Sequence, residues 1–137
     1  MIAHPFAIKP VEIAFLKKDV SIWNINSFAE FYMQIAEKYK KDYAKALVKF
    51  RAERERYLAE LSTIDGIRVI PTQANYVMVE LLNGKTAKEI TKKLVLEHNI
   101  LIKDLRSKMG GKQFVRLAIR NEKDNDALIS ALKKVLK

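Results

Sequence analysis

Cysteine is absent, which excludes a disulfide framework and any thiolate metal site. Histidine occurs twice, at His4 and His98, too far apart to share ligand spacing, so neither a zinc nor a haem site is expected. With only four glycines, the chain has no P-loop and no GxGxxG, and a phosphate cradle built from backbone amides is not expected. GxSxG and HExxH are missing as well. Carboxylates pair only at helical spacings that suit ion pairs with lysine and arginine. No apolar run is long enough to cross a membrane. The first ten residues, MIAHPFAIKP, lack the sustained apolar stretch of a signal peptide, and the cytoplasm is the expected location. No internal repeat or low-complexity segment stands out.

What is present fits a water-soluble domain. The 137 residues are 49% hydrophobic and 31% charged, enough for one domain with a core. The net charge is +10 and the pI about 9.8. Such a balance suits nucleic acid, a membrane surface, or acidic and phosphorylated small molecules. The lysines are spread along helical segments and no recognition motif accompanies them. They are therefore read as solvated surface, with no nucleic-acid or membrane partner expected.

Periodicity organises the chain. Residues 11–18, VEIAFLKK, read as a short amphipathic helix. Ser27 with Glu30 has the spacing of a capping box. Apolar residues then recur at Phe28, Phe31, Ile35, Tyr39, Tyr43, Leu47 and Phe50 and resume at Tyr57 or Leu58 and Leu61, a helical period. The charged run RAERER at 51–56 reads as a solvated face, with Arg51 opposite Glu55 and Glu53 opposite Arg56. One rod over 27–62 would be about 54 Å long at the usual rise per residue. A break near Glu37–Lys41 is expected instead, with the first half docking on something outside this chain.

After Gly66 the period becomes two. IRVI (67–70) and ANYVMVELL (74–82) read as strands, the second with Val77, Val79 and Leu81 on one face and Tyr76 and Met78 on the other. Asn83-Gly84 is a turn. Thr86 and Glu89 form a second capping box, opening a helix that buries Ala87, Ile90 and Leu94 and ends near His98-Asn99. ILIKDL (100–105) and QFVRLAIR (113–120) are further strands. Asn121 caps a last helix that buries Leu128, Leu132 and Val135. The order predicts an α+β fold: a small, largely antiparallel sheet of about four strands with helices on one face, preceded by a long or broken helical segment.

The stretch FVRLAIRN (114–121) places Arg116 in mid-strand between apolar neighbours. A guanidinium does not shed its charge, so it needs a carboxylate, a phosphate or water. If the third and fourth strands pair, Lys103 and Arg116 can converge on one anion. The alternative is a structural ion pair between Arg116 and Asp104. Asn75, at the start of the second strand, is a third polar residue at a strand end. From the residues alone, a free-standing basic module binding a small anion or RNA is the competing class. Its stacking platform would be Tyr76 and Phe114, although no RNP-like sequence surrounds them.

Five segments carry a family resemblance: WNIN (23–26) followed by a helix, RAERERYLAEL (51–61), QANYVMVEL (73–81), ILIKDL (100–105) and FVRLAIRNEKDNDALISAL (114–132). Their order and spacing resemble the C-terminal small domain of class I/II, fold-type I, aminotransferases. Within that family they are most similar to the branch of histidinol-phosphate aminotransferases and threonine-phosphate decarboxylases. The resemblance implies a small domain over 20–137, with 1–19 an N-terminal segment or a remnant of the interdomain region. It implies that Arg116 grips the substrate α-carboxylate. Lys103 stands where histidinol-phosphate enzymes place an arginine for the substrate phosphate, and it keeps the charge but not the fork. Asn75 matches a position near the carboxylate site. Trp23 and Asn24 match the segment that crosses between domains beside the substrate. The cofactor implied for the intact enzyme is pyridoxal 5'-phosphate. Its Schiff-base lysine sits in a Ser-Lys motif that is missing here and belongs to a large domain. The resemblance thus implies a homodimeric transaminase or related decarboxylase as parent. This chain would then be inactive and cofactor-free by itself.

Overall fold

A computed structural model describes residues 10–18, 25–82 and 84–137. The chain divides into two compact units, Met1–Ala44 and Lys45–Lys137. Trp23 and Asn24, the first nine residues and Asn83 of the expected turn lie outside the described residues.

The first unit contains helix α1 (Pro10–Leu16) and helix α2 (Ser27–Ala36). The expected capping box at Ser27 does not form. Asn26 is the cap instead: its backbone is extended and its side-chain oxygen accepts from the Ala29 amide at 2.9 Å. Ser27 already has helical hydrogen bonding, so the residue before it meets the first free amides. The expected break is present as a short 3-10 turn, Glu37–Tyr39, between α2 and helix α3 (Lys40–Ser62). No residue of α2 is buried, and Phe28 is 86% exposed.

The second unit holds the sheet: β1 (Ile67–Ile70), β2 (Tyr76–Leu81), β3 (Lys103–Asp104) and β4 (Phe114–Ala118). Their order across the sheet is β1-β2-β4-β3, with every neighbouring pair antiparallel. The third strand is shorter than expected from ILIKDL. Only Lys103 and Asp104 pair with β4, because Ile100 closes the preceding helix by donating to the Leu94 carbonyl at 3.0 Å. Register fixes the faces. Val77, Val79 and Leu81 of β2 and Val115 and Leu117 of β4 are buried on one side. They meet Tyr57 and Leu61 of α3, then Ile90 and Leu94 of helix α4 (Ala87–His98). Leu128, Ile129 and Leu132 of helix α5 (Glu122–Val135) complete this core. Each such apolar side chain contributes about 1.5–3 kcal/mol when removed from water.

The helix ends obey local rules. Thr86 and Glu89 form the reciprocal capping box, and Asn99 ends α4 in the left-handed conformation with φ of 56°. Asn121 caps α5, accepting from the Asp124 amide at 2.9 Å.

The charged run on α3 corrects one expectation. Arg54 is buried rather than solvated, and Glu55 pairs with Arg54 rather than Arg51. The Glu53–Arg56 pair forms at 2.8 Å, and Arg56 also reaches Asp126 of α5.

Candidate functional site

The face of the sheet opposite the helices carries the polar strand residues. Strand pairing sets Arg116 directly opposite Lys103 on β3 and Met78 on β2. Residues opposed in this way have Cβ atoms about 4.5–5.5 Å apart. Arg116 and Lys103 are therefore neighbours on one face, and both are exposed. Like charges placed so destabilise a sheet unless an anion offsets them.

No carboxylate among the described residues does so. Asp104 turns away from Arg116: it is in register with Val115, on the core side of β4. Its oxygens accept from the Arg106 amide at 2.9 Å and from the Arg106 guanidinium at 2.7 Å. That guanidinium holds the Asp104 carboxyl below the usual carboxylate range. The expected alternative, an Arg116–Asp104 ion pair, is thereby excluded. Glu80, diagonal to Arg116 across β2, is engaged by Arg68 of β1. Both nearby carboxylates are taken, and the fork of Arg116 is left to solvent or ligand.

Arg116 does have one neighbour that leaves its donors open. Its Cζ atom lies 5.2 Å from the centroid of the Tyr76 ring, within cation–π range. Asn75 precedes Tyr76 and extends the ladder, its carbonyl accepting from the Ile119 amide at 2.9 Å. The Asn75 side chain takes no hydrogen bond among the described residues. Arg116, Lys103 and Tyr76 thus share the open face, and Asn75 is the exposed residue just before β2.

Two supporting residues were hidden in the sequence. Arg54 is only 6% exposed and donates to the Gln73 carbonyl at 2.8 Å and the Gln73 side-chain oxygen at 2.9 Å. It ties α3 to the turn that delivers Asn75 and Tyr76. Asn125, buried on α5, donates to Glu53 at 2.7 Å and to the Arg120 carbonyl at 3.1 Å, and accepts from the Arg120 amide at 2.9 Å. It fixes the chain leaving β4. A signal existed in both cases: Arg54 precedes Tyr57 by three and Leu61 by seven, and Asn125 precedes Leu128 by three.

Pyridoxal 5'-phosphate requires a lysine to hold it as an imine and a set of donors for its phosphate. The residues described do not fit it. No described lysine is buried. Gly110 and Gly111 have φ of 59° and 83° in an exposed turn, and a Cβ at either would meet nothing within 4 Å. They serve the turn, not a cradle. The stacking platform of an RNA-binding sheet is also incomplete. Phe114 is 6% exposed, whereas Tyr76 is 42% exposed, so only one of the two expected aromatics is available.

Comparison with known proteins shows the family and the fold. The sequence profile of the family described as Aminotransferase class I and II, whose enzymes depend on pyridoxal phosphate, matches residues 21–132. L-serine phosphate decarboxylase of Campylobacter jejuni is 26% identical over 125 residues, covering 89% of this chain and 32% of that protein. The solved structure of a decarboxylase from Sulfurospirillum multivorans superposes with a TM-score of 0.82 at 28% identity, over 93% of this chain and 37% of that one. The histidinol-phosphate aminotransferase from Clostridium acetobutylicum does so with a TM-score of 0.77 at 33% identity, over 90% and 37% respectively. The chain spans 20–32% of the length of the first curated relatives it matches.

Proposed function

Because the chain belongs to the class I and II aminotransferase family, we propose that residues 20–137 are the C-terminal, substrate-gripping domain of an enzyme that acts on an amino acid or a phosphorylated amino acid or amine. One observation carries this reading. Arg116 and Lys103 are like charges in direct register, and the two carboxylates beside them among the described residues, Asp104 and Glu80, are engaged by other arginines. Such a pair is costly in an empty sheet and favourable around a dianion.

In this reading the Arg116 fork takes the substrate α-carboxylate through two parallel hydrogen bonds. Lys103, a point charge without a fork, takes the second anionic group, for which phosphate is the natural choice. The names of the relatives, histidinol-phosphate aminotransferase and L-serine phosphate decarboxylase among them, support a phosphorylated substrate. They also leave both transamination and decarboxylation as chemistries for the parent enzyme. Asn75 is the residue taken to stand near the carboxylate, and Trp23 and Asn24 match, by resemblance alone, the family segment that crosses between the domains near the substrate. The cofactor, its lysine and its ring-holding residues come from a large domain. The isolated chain is then a binding half-site without catalysis. The apolar residues exposed along α2, Phe28, Phe31 and Met33, support docking on that large domain. The intact enzyme is read as a cytoplasmic homodimer.

The test uses the native polypeptide carrying this sequence, sized in source cells by immunoblot and purified for assay with phosphorylated amino acids such as O-phospho-L-serine. A band well above 15.8 kDa and an amino-acid-dependent activity are expected. In that enzyme Arg116→Ala should raise KM by the equivalent of about 2–4 kcal/mol. An unchanged KM for every amino acid turned over contradicts the assignment.

A further inference from the structure

We propose that Tyr76 is a positioning residue for Arg116, and that it works through the face of its ring rather than through its hydroxyl. The inference rests on the carboxylate-gripping reading above and adds how the fork is held ready.

The geometry comes from the pairing of β2 and β4. Tyr76 is in register with Ala118, and Arg116 is the diagonal neighbour two residues before it. Diagonal residues lie about 7–8 Å apart, within reach of an aromatic ring and a long side chain. Ala118 is small, so the ring can lie across it toward Arg116. The guanidinium carbon sits 5.2 Å from the ring centroid. On the opposite flank, Lys103 repels the guanidinium, so attraction from one side and repulsion from the other favour one placement.

The choice of an aromatic partner has a chemical consequence. A carboxylate would orient the guanidinium by occupying its N–H donors, which would then be lost to a ligand. A ring face attracts the cation and leaves the five donors in the guanidinium plane open. Tyr76 can thus order the fork without competing with what the fork is to bind. A side chain ordered beforehand also loses less freedom on binding.

The ring is itself set by the backbone around it. The Asn75 carbonyl accepts from the Ile119 amide at 2.9 Å, which fixes the residue before Tyr76 to the chain leaving β4. The Ala74 amide donates to Thr72 Oγ1 at 3.0 Å, and buried Arg54 clamps Gln73 at its carbonyl and its side-chain oxygen. The turn that delivers Tyr76 is held from α3 on one side and from the β4 exit on the other.

The test is NMR of the labelled 137-residue chain, observing the Arg116 Nε–H group. In the wild type its proton should be shifted upfield by the ring current, and rotation about its Nε–Cζ bond should be slow relative to an exposed arginine without an ion-pair partner among the described residues, such as Arg51. Tyr76→Leu should abolish both effects, and Tyr76→Phe should restore them. With O-phospho-L-serine as the probe, Tyr76→Leu should weaken binding about two- to fivefold, the range of an exposed cation–π contact, while Tyr76→Phe recovers the wild-type affinity. A wild-type Arg116 signal at the position of a free arginine overturns the proposal, and this readout needs no variant to fold. An Arg116 signal unchanged in Tyr76→Leu overturns it as well. The two readings fail separately. If Arg116→Ala weakens binding of the probe and Tyr76→Leu does not, positioning is wrong and the carboxylate grip stands. If Arg116→Ala leaves binding unchanged while the ring-current shift is present, the grip is wrong although the contact exists.

Discussion

Tyr57 isolates a single-residue effect in the core. Its side chain is fully buried on α3, and its hydroxyl has no hydrogen-bond partner among the described residues. Burial pushes its phenol pKa well up, because the charged form would be stranded in apolar surroundings. A buried hydroxyl without a partner costs about 1–3 kcal/mol of desolvation, whereas the ring contributes its full apolar area. Tyr57→Phe should therefore leave the chain as stable as before or more stable by up to about 2 kcal/mol, read from the urea midpoint. A loss above about 1 kcal/mol would mean that the hydroxyl has a partner after all, such as an ordered water. Arg54 and Asn125 are the opposite case: they are buried and polar, and each donates to several acceptors. The charge of Arg54 masked its position in the sequence. RAERER reads as a solvated surface, yet the stripe through 54, 57 and 61 faces the core, and Gln73 supplies the acceptors that make burial of Arg54 affordable.

At the scale of elements, most of the architecture was legible. The change of period at Gly66, the Thr86–Glu89 box and the Asn121 cap are local signals, and each corresponds to an element of the structure. Boundaries that depend on tertiary competition were less visible. ILIKDL has the composition of a six-residue strand, but Ile100 is drawn into the end of α4 and only two residues pair with β4. The cap of α2 illustrates the same point. Both Asn26 and Ser27 are good caps, and the choice between them rests on which takes the extended backbone. Two substitutions separate the cases. Thr86→Ala should cost about 0.5–2 kcal/mol, because it removes the reciprocal box of α4. Ser27→Ala should lie within about 0.5 kcal/mol of the parent, because Asn26 does the capping. Equal losses from the two would return the cap to Ser27.

The candidate site was legible in type and only partly in arrangement. A mid-strand arginine signals an anion or an ion pair, and the sequence alone left both open. The register removes the ion pair with Asp104, because Asp104 opposes Val115 and is engaged by Arg106. Such a distinction depends on which strands pair and by how many residues they are offset, which no local pattern encodes.

For the whole molecule, charge and pH provide the next test. The Arg56 guanidinium holds the Glu53 carboxyl below its ordinary value, Arg106 does the same for Asp104, and Arg120 for Asp124. In each case the folded state binds protons less readily than the unfolded state. Their contribution is therefore complete above the ordinary carboxylate pKa of about 4 and fades as the pH falls through the lowered folded values. Stability should decline below about pH 4, reinforced by repulsion as the net charge rises above +10. Glu53→Gln should lower stability near neutral pH and flatten the acid limb, measured as the slope of unfolding free energy against pH. Parallel slopes for parent and variant would show that Glu53 titrates alike in both states.

The proposed function has the open face of the sheet bind an anionic amino acid through Arg116 and Lys103. The most direct measurement is chemical-shift mapping of the labelled chain titrated with O-phospho-L-serine, repeated with Arg116→Ala. Saturable shifts confined to residues 75–78, 103–104 and 115–118 are expected, with a large loss of affinity in the variant. Shifts scattered over the helix lysines, with the same affinity in Arg116→Ala, would contradict it.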